Sequence, residues 1–441
     1  MQDMTTGKIH GPLVRFTVPL VLGNLFQLTY NAVDSIIVGR FVGTGALAAV
    51  GAANPIMNIV IFFVAGICMG ASVLMSEFFG ARNTGALQRE ISTSLLAGCA
   101  FSVAVSVLGW LAATPLLRLI RTPEEILPDA SAYLRVIFIG MIFTFLYNFY
   151  ANTLRALGDS KTPLYFLIIS AVLNIVADLV FVVQLHMGVL GCGIATVLAQ
   201  AASCLFCVVY IRLKVPVLQL GRRWLVFDRT LLRRTVSYSW TSAMQQTTLY
   251  VGKLLVQMVV NTLGVDTIAA FNAVNRIDDF AFTPQQNIAH AMTTFLAQNR
   301  GAGKMDRLRR GFRAGIEIEL LYCAGLIAVC LPLAPHMMRL FVRSESVVAL
   351  GAGYLQLMAV LYILPGITNG IQGYFRGMGE LKVTLWSTTM NIAGRVAAVW
   401  VLAPRLGMTG FALGNLAGWI LMLLFELPLL VQHLRRWRNA A

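Results

Sequence analysis

Hydrophobic segments, each as long as a whole helix, are separated along this chain by polar segments. Apolar runs of about 20 residues recur between Pro12 and Leu434, separated by short segments rich in charged residues. A helix of that length crosses the hydrocarbon core of a bilayer, which is about 30 Å thick. The pattern therefore predicts an all-α integral membrane protein with twelve transmembrane helices. They lie near residues 12–39, 46–76, 91–117, 130–154, 162–185, 189–212, 235–261, 267–297, 314–340, 347–375, 383–404 and 408–434.

Composition supports this interpretation. Of the 441 residues, 58% are hydrophobic and only 12% are charged, whereas soluble domains have about 25% charged residues. The N-terminal segment lacks the short apolar core and small-residue cleavage site of a signal peptide, so the first span is expected in the mature protein. All seven cysteines fall within apolar runs without metal-ligand spacing, and we interpret them as small core residues.

Several function classes lack their sequence signals here. The chain contains no HExxH zinc motif, no Walker loop ending in GK[ST] and no nucleophile elbow. A net charge of +15 is compatible with nucleic-acid binding, but the basic residues lie between apolar spans and not on one water-facing surface. We therefore expect neither an enzyme nor a nucleic-acid-binding protein, and no cofactor.

The basic residues lie mostly on one side of the predicted membrane. With the N-terminus in the cytoplasm, 24 of the 34 Lys and Arg residues fall on the cytoplasmic side and 6 on the opposite side. Cytoplasmic loops are enriched in Lys and Arg, and a basic cytoplasmic face also meets anionic membrane lipids. We predict a multi-pass protein of the plasma (inner) membrane with both termini in the cytoplasm.

The chain contains an internal repeat. At an offset of 221 residues, ALAAVGAANPI (46–56) pairs with TIAAFNAVNRI (267–277). An even number of spans per copy makes both copies cross the membrane in the same sense, related by an axis along the membrane normal. The predicted fold is two pseudo-symmetric six-helix bundles around a central cavity. The predicted domains are an N-terminal lobe (1–212), a basic cytoplasmic linker (213–234) and a C-terminal lobe (235–441).

Two spans of the first half carry polar stripes. An acidic residue in mid-helix costs about 2.5–3.5 kcal/mol on insertion scales, so it indicates function by default. Spacings of three and four residues place each stripe on one face of its helix. The stripes are Asn24, Gln27, Asn31 and Asp34 on the first helix, and Ser170, Asn174 and Asp178 on the fifth.

The acids of both stripes are expected to share a pocket. Asp34 and Asp178 lie past the midpoints of their helices toward the outer face, at the depth of Thr196 on the sixth helix, with Asn174 close by. Desolvation and mutual repulsion of two carboxylates favour the binding of a proton or a monovalent cation such as sodium, which changes the local charge. The alternative is that each acid only hydrogen-bonds a neighbouring helix.

Pro19 is a candidate hinge. It lies about four turns before Asp34 in the first helix. A proline within a helix removes one backbone hydrogen bond and favours a kink. A kinked helix can straighten or bend when the charge at Asp34 changes.

Polar residues of both halves are candidates to line a substrate cavity. They are Asn24, Gln27 and Asn31 on the first helix, Asn148 on the fourth, Gln246, Tyr250 and Lys253 on the seventh, and Asp279 on the eighth. The alternative for the charged members is mutual neutralisation of Lys253, Arg276, Asp278 and Asp279 in the cavity wall. The halves differ chemically, because at the offset of 221 Trp240 replaces Pro19 and Leu255 replaces Asp34.

These features resemble the multidrug and toxic compound extrusion (MATE) family over essentially the whole chain. The resemblance rests on a proline and an aspartate 15 residues apart on the first helix, NIVAD (174–178), a threonine 18 residues after that aspartate, and the loop RALGDSKTP (155–163). It implies that Pro19 is the family's bending proline. It also implies that the proton or cation site of the first lobe consists of Asp34, Asn174, Asp178 and Thr196.

The resemblance further implies alternating-access antiport, in which an inward-moving proton or sodium ion is exchanged for a bulky, often cationic, amphipathic small molecule. Some members carry a second carboxylate site on the seventh and tenth helices, but spans 235–261 and 347–375 contain no acid. The first lobe is therefore the better candidate for coupling. A monomer is expected because two lobes enclose their own pathway.

Two alternatives remain. A flippase of the same superfamily that moves a lipid-linked saccharide needs a cationic lining for phosphate, which Lys253, Arg276 and Arg395 could supply. A channel or a membrane-embedded enzyme fits less well, since a channel does not require paired acids and the enzyme motifs are missing. Competition by cationic dyes distinguishes a multidrug exporter from a flippase.

Overall fold

The structure, a computed structural model, describes residues 3–216 and 226–440; the side chains of Asn31, Ser35 and residues 437–440 lie outside the described part. Helix accounts for 89% of the structure, and the described residues contain no strand. The predicted all-α membrane fold is therefore confirmed. The helices are α1 (His10–Phe41), α2 (Thr44–Gly80), α3 (Thr84–Leu119), α4 (Leu127–Ile139), α5 (Met141–Ala156), α6 (Lys161–Asp178), a π-helical segment (Leu179–Gln184), α7 (Gly188–Lys214), α8 (Arg229–Val260), α9 (Val265–Gly301), α10 (Met305–Arg339), α11 (Glu345–Leu361), α12 (Ile363–Gly377), α13 (Leu381–Leu406) and α14 (Met408–Ala440).

Hydropathy separates these helices into two groups. Among the described residues, six single helices and two bent pairs contain an 18-residue stretch apolar enough to cross a membrane. The other four long helices carry a charged residue within the span: Asp34 in α1, Lys253 in α8, Asp278 in α9 and Arg395 in α13. Charges within a span are tolerated where a helix faces protein or a polar cavity. These four helices are therefore the first places to look for function.

Two spans predicted as single helices are broken in the structure. The span near 130–154 consists of α4 and α5, bent by 45° at Gly140, and the span near 347–375 consists of α11 and α12, bent by 43°. Pro365 of α12 lacks the backbone N–H that would bond to the preceding turn, and the side chain of Val197 fills the space beside Gly140. Hydropathy does not reveal such bends, because both segments of each pair are apolar.

The chain divides into two compact units whose boundaries lie inside helices. The first unit is Val18–Ala243 with Met1–Asp3, and the second unit is Met4–Thr17 with Met244–Ala441. The boundaries fall within α1, one residue before Pro19, and within α8, so they are not placed at the ends of the predicted lobes. Helix α1 continues through Pro19 without interruption. Residues 217–225 of the predicted linker lie outside the described part.

Side-chain hydrogen bonds explain why the N-terminal segment belongs to the second unit. The backbone N–H of Met4 donates to Gln298 Oε1 at 3.2 Å, and Arg307 Nη1 donates to the carbonyl of Gly7 at 2.7 Å. Met4 is fully buried. These partners are polar groups at the end of α9 and the start of α10, which the apolar pattern of the chain does not identify.

The start of α8 belongs to the first unit for a similar reason. The hydroxyl of Thr235 donates to the buried carboxylate of Glu90 at 2.7 Å. Further along α8, a Cβ added to Gly70 of α2 would lie 2.5 Å from the Cα of Ser239, so only glycine permits this approach of the two backbones. The first part of α8 is therefore fixed against α2 and α3.

Candidate ion-coupling site

Three helices of the first unit bring two acids and a thiol together. Asp34 lies near the end of α1, Asp178 is the last residue of α6, and Cys192 lies near the start of α7. One carboxylate oxygen from each acid and the sulfur of Cys192 all lie within 4.8 Å of one another. The structure thus places the two predicted acids side by side.

The chain reversal between α6 and α7 positions two of these residues. The π-helical segment Leu179–Gln184 follows directly after Asp178. The chain then turns at His186 and Gly188, which have positive φ values of 51° and 58°. Because α7 runs back along α6, Cys192 returns to the level of Asp178.

Few neighbouring groups offset the negative charges of Asp34 and Asp178. Asp178 is 0% exposed, and neither of its carboxylate oxygens has a hydrogen-bond partner among the described residues. Asp34 is half-buried and accepts a hydrogen bond from the thiol of Cys192 at 3.2 Å. Two full negative charges no more than 4.8 Å apart repel by at least about 3.5 kcal/mol at an effective dielectric of about 20. A bound proton or cation removes this repulsion.

The other two predicted coupling residues lie one helical turn away. Asn174 and Thr196, together with Tyr30, border a small cavity of about 10 Å³ in the first unit. Each is four residues from a member of the acid cluster on its own helix. The hydroxyl of Thr196 donates to the carbonyl of Cys192 at 3.1 Å, whereas the side-chain amide of buried Asn174 has no partner among the described residues. The cavity is far smaller than typical sites for drug-sized ligands, which occupy about 300–1,000 Å³.

Sequence reasoning missed three side chains around the acids. Cys192 was interpreted as a core residue, but its thiol bonds to Asp34. Tyr30, one turn before Asp34 on α1, and the buried Tyr133 of α4 both interact electrostatically with that acid. A four-residue spacing was a signal for Tyr30, from Asp34, and for Cys192, from Thr196, whereas nothing in the sequence places Tyr133 beside the acids.

The remaining predicted residues of the first half differ in exposure and partners. Asn24 is half-buried and Gln27 is exposed. The amide of Asn148 donates to the carbonyl of Thr144, in its own helix, at 2.8 Å. The side chain of Asn31 lies outside the described residues.

In the second unit, Lys253 and Asp279 form an ion pair. Lys253 Nζ and Asp279 Oδ1 are 3.0 Å apart, and the lysine side chain is 63% exposed. Gln246 and Tyr250 are half-buried on the preceding turns of α8. The structure thus brings together the two charged candidates.

Asp278, next to this ion pair in sequence, has partners of its own. The hydroxyl of Tyr362, at the break between α11 and α12, donates a short hydrogen bond to Asp278 Oδ1. Asp278 also interacts electrostatically with Arg395 of α13. Asp278 and Asp279 are therefore each paired with a cation or a hydroxyl.

Glu319 of α10 is a buried acid that the sequence reading did not single out. Its side chain is 0% exposed, and neither carboxylate oxygen has a hydrogen-bond partner among the described residues. It faces Gly366, where an added Cβ would lie 3.9 Å from Glu319 Oε2 and 2.5 Å from the sulfur of Cys323. An unpaired carboxylate at such a position is stable as a neutral acid.

Known proteins of one family match this chain over most of its length. The MatE family profile matches residues 19–180 and 242–399. The "Probable multidrug resistance protein YoeA" of Bacillus subtilis is 31% identical over 392 residues, covering 87% of this chain and 83% of that protein. The "Probable multidrug resistance protein YpnP" of the same organism is 29% identical over 421 residues, covering 93% and 92%. A crystal structure of a MATE protein in the bent conformation has a TM-score of 0.92 at 22% identity, covering 99% of this chain and 98% of that chain.

The profile matches one segment in each copy of the repeat, and together the segments span more than half of the chain. The solved structure shows the shared fold. The resemblance drawn from the sequence is thereby confirmed, and with it the interpretation as a transporter family with no indicated catalytic activity. The chain belongs to the MatE family, the multidrug and toxic compound extrusion transporters.

Proposed function

We propose that this protein is an antiporter that exports amphipathic, cationic small molecules in exchange for protons or sodium ions. Coupling takes place at Asp34 and Asp178, with Asn174 and Thr196 in the adjoining cavity. The site opens to one side of the membrane at a time, and the coupling ion enters from outside as the exported compound leaves.

The observation that carries this proposal is the uncompensated acid pair. Asp34 and Asp178 have carboxylate oxygens within 4.8 Å of each other, and those of Asp178 have no hydrogen-bond partner among the described residues. A fully buried charge without a partner costs several kcal/mol. The pair is therefore stable only with a proton or cation bound, so occupancy of the site controls the free energy of the surrounding helices.

We favour a proton over sodium as the coupling ion. The third atom of the cluster is the sulfur of Cys192, and a soft sulfur ligand is poorly matched to a hard cation. A single proton shared between Asp34 and Asp178 replaces their repulsion with a hydrogen bond. Sodium remains the alternative, to be decided by measurement.

Helix α1 is the element that responds to the ion in this proposal. It carries Asp34 near one end and the buried Pro19 about four turns before it. The missing hydrogen bond at Pro19 makes bending there less costly than elsewhere in the helix. Neutralising Asp34 changes its attraction to the thiol of Cys192, so the two charge states favour different shapes of α1.

The transported compound is expected to be larger than the cavity beside the acids. That cavity of about 10 Å³ has room for about one ion or water molecule, so we assign the bulky cation to a different, more open state of the protein. We propose that the protein works as a monomer in the plasma or inner membrane, with both termini in the cytoplasm and its basic face toward anionic lipid.

The proposal is tested by dye export from proteoliposomes under separately imposed proton and sodium gradients. The parent is expected to move a cationic fluorescent dye under one gradient, and Asp34→Asn is expected to reduce transport to the level of empty liposomes. The matched control is Asp266→Asn, the same substitution at an exposed acid in the first turn of α9. The effective gradient identifies the ion.

Two results would contradict the proposal. Equal transport by the parent and by Asp34→Asn would remove the acid pair from coupling. Failure of the parent to move any cationic dye would favour a lipid-linked saccharide flippase, for which Arg395, with its Nε atom unpaired among the described residues, is the candidate phosphate ligand.

A further inference from the structure

Cys192 has a role in the acid cluster that ion coupling does not explain. Its side chain is 0% exposed, and its thiol donates to Asp34 Oδ1 at 3.2 Å. A small apolar residue would satisfy packing at this position, but a sulfur adds a third ligand atom to the two carboxylates.

The geometry of the cluster is that of a three-ligand metal site. The described residues contain one group of three or more His, Cys, Asp or Glu side chains with ligand atoms this close, and its members come from α1, α6 and α7. Asp178 is fully buried and its oxygens have no hydrogen-bond partner among the described residues, although they lie within 4.8 Å of the other two ligand atoms. The buried, unpaired carboxylate is thus available to a ligand at this position.

The ligand types select the class of metal. Zinc binds thiolate sulfur at about 2.3 Å and carboxylate oxygen at about 2.0–2.2 Å, which places ligand atoms about 3.3–3.8 Å apart. The sulfur of Cys192 and Asp34 Oδ1 are already 3.2 Å apart, and an oxygen of Asp178 lies within 4.8 Å of the other two ligand atoms. Thiolate ligands select soft metals, whereas Mg²⁺ and Ca²⁺ require oxygen ligands.

We propose that Asp34, Asp178 and Cys192 form a binding site for a thiophilic divalent cation of the Zn²⁺ and Cd²⁺ class, with water in the remaining coordination position. On binding, the S–H bond of Cys192 breaks, a sulfur–metal bond forms and the proton passes to water. A bound metal ion occupies the place of the coupling ion and blocks transport; this consequence alone rests on the proposed function.

The test is direct titration of the purified full-length protein in detergent with Cd²⁺, without substrate or ion gradient. Calorimetry gives the affinity, and the ultraviolet charge-transfer absorption of a thiolate–cadmium bond identifies the sulfur ligand. We expect the parent to bind Cd²⁺ with this absorption, and a pH indicator to report proton release. Cys192→Ser is expected to lose the absorption and to bind at least about tenfold more weakly, since even loss of an outer-shell partner weakens metal affinity about 10–100-fold.

The matched control is Cys204→Ser, the same substitution at another buried cysteine of α7. This variant is expected to bind Cd²⁺ like the parent, and a large excess of Mg²⁺ is not expected to displace the metal. Melting temperatures of all variants report whether they are folded. The proposal is overturned if the parent does not bind Cd²⁺, if the absorption persists in Cys192→Ser, or if Cys204→Ser loses it.

Failure of this proposal is distinguishable from failure of the coupling proposal. Cadmium binding is measured without transport, and the effect of Asp34→Asn on dye export is measured without metal. A protein that binds Cd²⁺ through Cys192 but exports dye normally after Asp34→Asn would retain the metal site and lose the coupling assignment.

Discussion

In the first unit, Asp178 is fully buried with no hydrogen-bond partner for its carboxylate among the described residues, whereas in the second unit Asp278 accepts a hydrogen bond from Tyr362 and interacts with Arg395. Both acids lie on helices that follow the same six-helix plan. A buried carboxylate with partners is stable by itself, but one without them needs a proton or a cation. The difference supports an exchangeable ion at Asp178 and a fixed pairing at Asp278.

The two halves also differ in where they place a large and a small side chain. At the offset of 221 residues, Gly98 corresponds to Glu319 and Phe145 corresponds to Gly366. In the first unit, the ring of Phe145 fills the space beside Gly98, where an added Cβ would lie 1.9 Å from the ring. In the second unit the large and small residues have changed places, with Glu319 facing Gly366. Complementary exchange preserves the packed volume, which accounts for the size of the side chain at position 319 but not for its unpaired carboxylate.

The largest effect is expected from removing the charge of the uncompensated acid. Asp178→Asn should abolish gradient-driven dye export, because the site no longer changes charge when an ion binds. The matched substitution Asp278→Asn keeps an oxygen that accepts from Tyr362, and export should remain dependent on the gradient. Proteoliposome assays compare the two variants at equal protein content. The comparison fails if both lose gradient dependence, or if only Asp278→Asn does.

Exchanging the large and small residues of the second half tests this comparison of side-chain size. Gly366→Phe should destabilise the protein by at least about 1–3 kcal/mol, the usual cost of overpacking, because an added Cβ already lies 2.5 Å from the sulfur of Cys323. Combining it with Glu319→Gly and Cys323→Ser recreates the residues of the first half, where Ser102 corresponds to Cys323. The triple variant should recover much of the lost melting temperature.

The experiment is decided by how far the free energy of unfolding lost in the triple variant departs from the sum of the losses in the three single variants. Residues in contact are expected to show coupling free energies of about 0.5–3 kcal/mol. Additive losses from the three substitutions would mean that the two halves pack independently at these positions and that the volume exchange is coincidental.

An intermediate effect on stability is expected at Asp278. Asp278→Ala removes the acceptor of the Tyr362 hydroxyl and the acid beside Arg395, so a loss of about 1–3 kcal/mol is expected for the groups left unsatisfied. Thermal unfolding in detergent measures this loss. A control at the other end of the hydrogen bond, Tyr362→Phe, should cost less, because the carboxylate of Asp278 keeps its interaction with Arg395. A melting temperature unchanged by Asp278→Ala would show that these groups find water instead.

The smallest effect is expected for the exposed ion pair. Lys253 and Asp279 are 3.0 Å apart, but their side chains are 63% and 36% exposed. Solvent screening limits such pairs to about 0–1 kcal/mol. Lys253→Ala should therefore shift the melting temperature little, and less still at high salt. A loss as large as that of Asp278→Ala would show that the pair is more shielded than its exposure indicates.

The fold and the two acids Asp34 and Asp178 could be predicted from the sequence, because both follow from simple physical rules. Twelve apolar runs identify the spans, and the constant offset identifies the repeat. The spacings on α1 and α6 identify the faces of Asp34 and Asp178. The same reasoning missed the bends at Gly140 and before Ile363, since an apolar helix and two apolar half-helices have the same hydropathy.

What the sequence determined by itself is the set of elements: membrane helices, their repetition, and two acids on polar faces in one half alone. Hydrophobic periodicity and chain length decide these features locally. Only the tertiary structure decided which side chains meet, because contacts between residues far apart in sequence depend on how helices turn and pack. It placed the thiol of Cys192 beside Asp34, paired Asp278 with Tyr362, and set Glu319 opposite a glycine, and these contacts decide which acids need an ion.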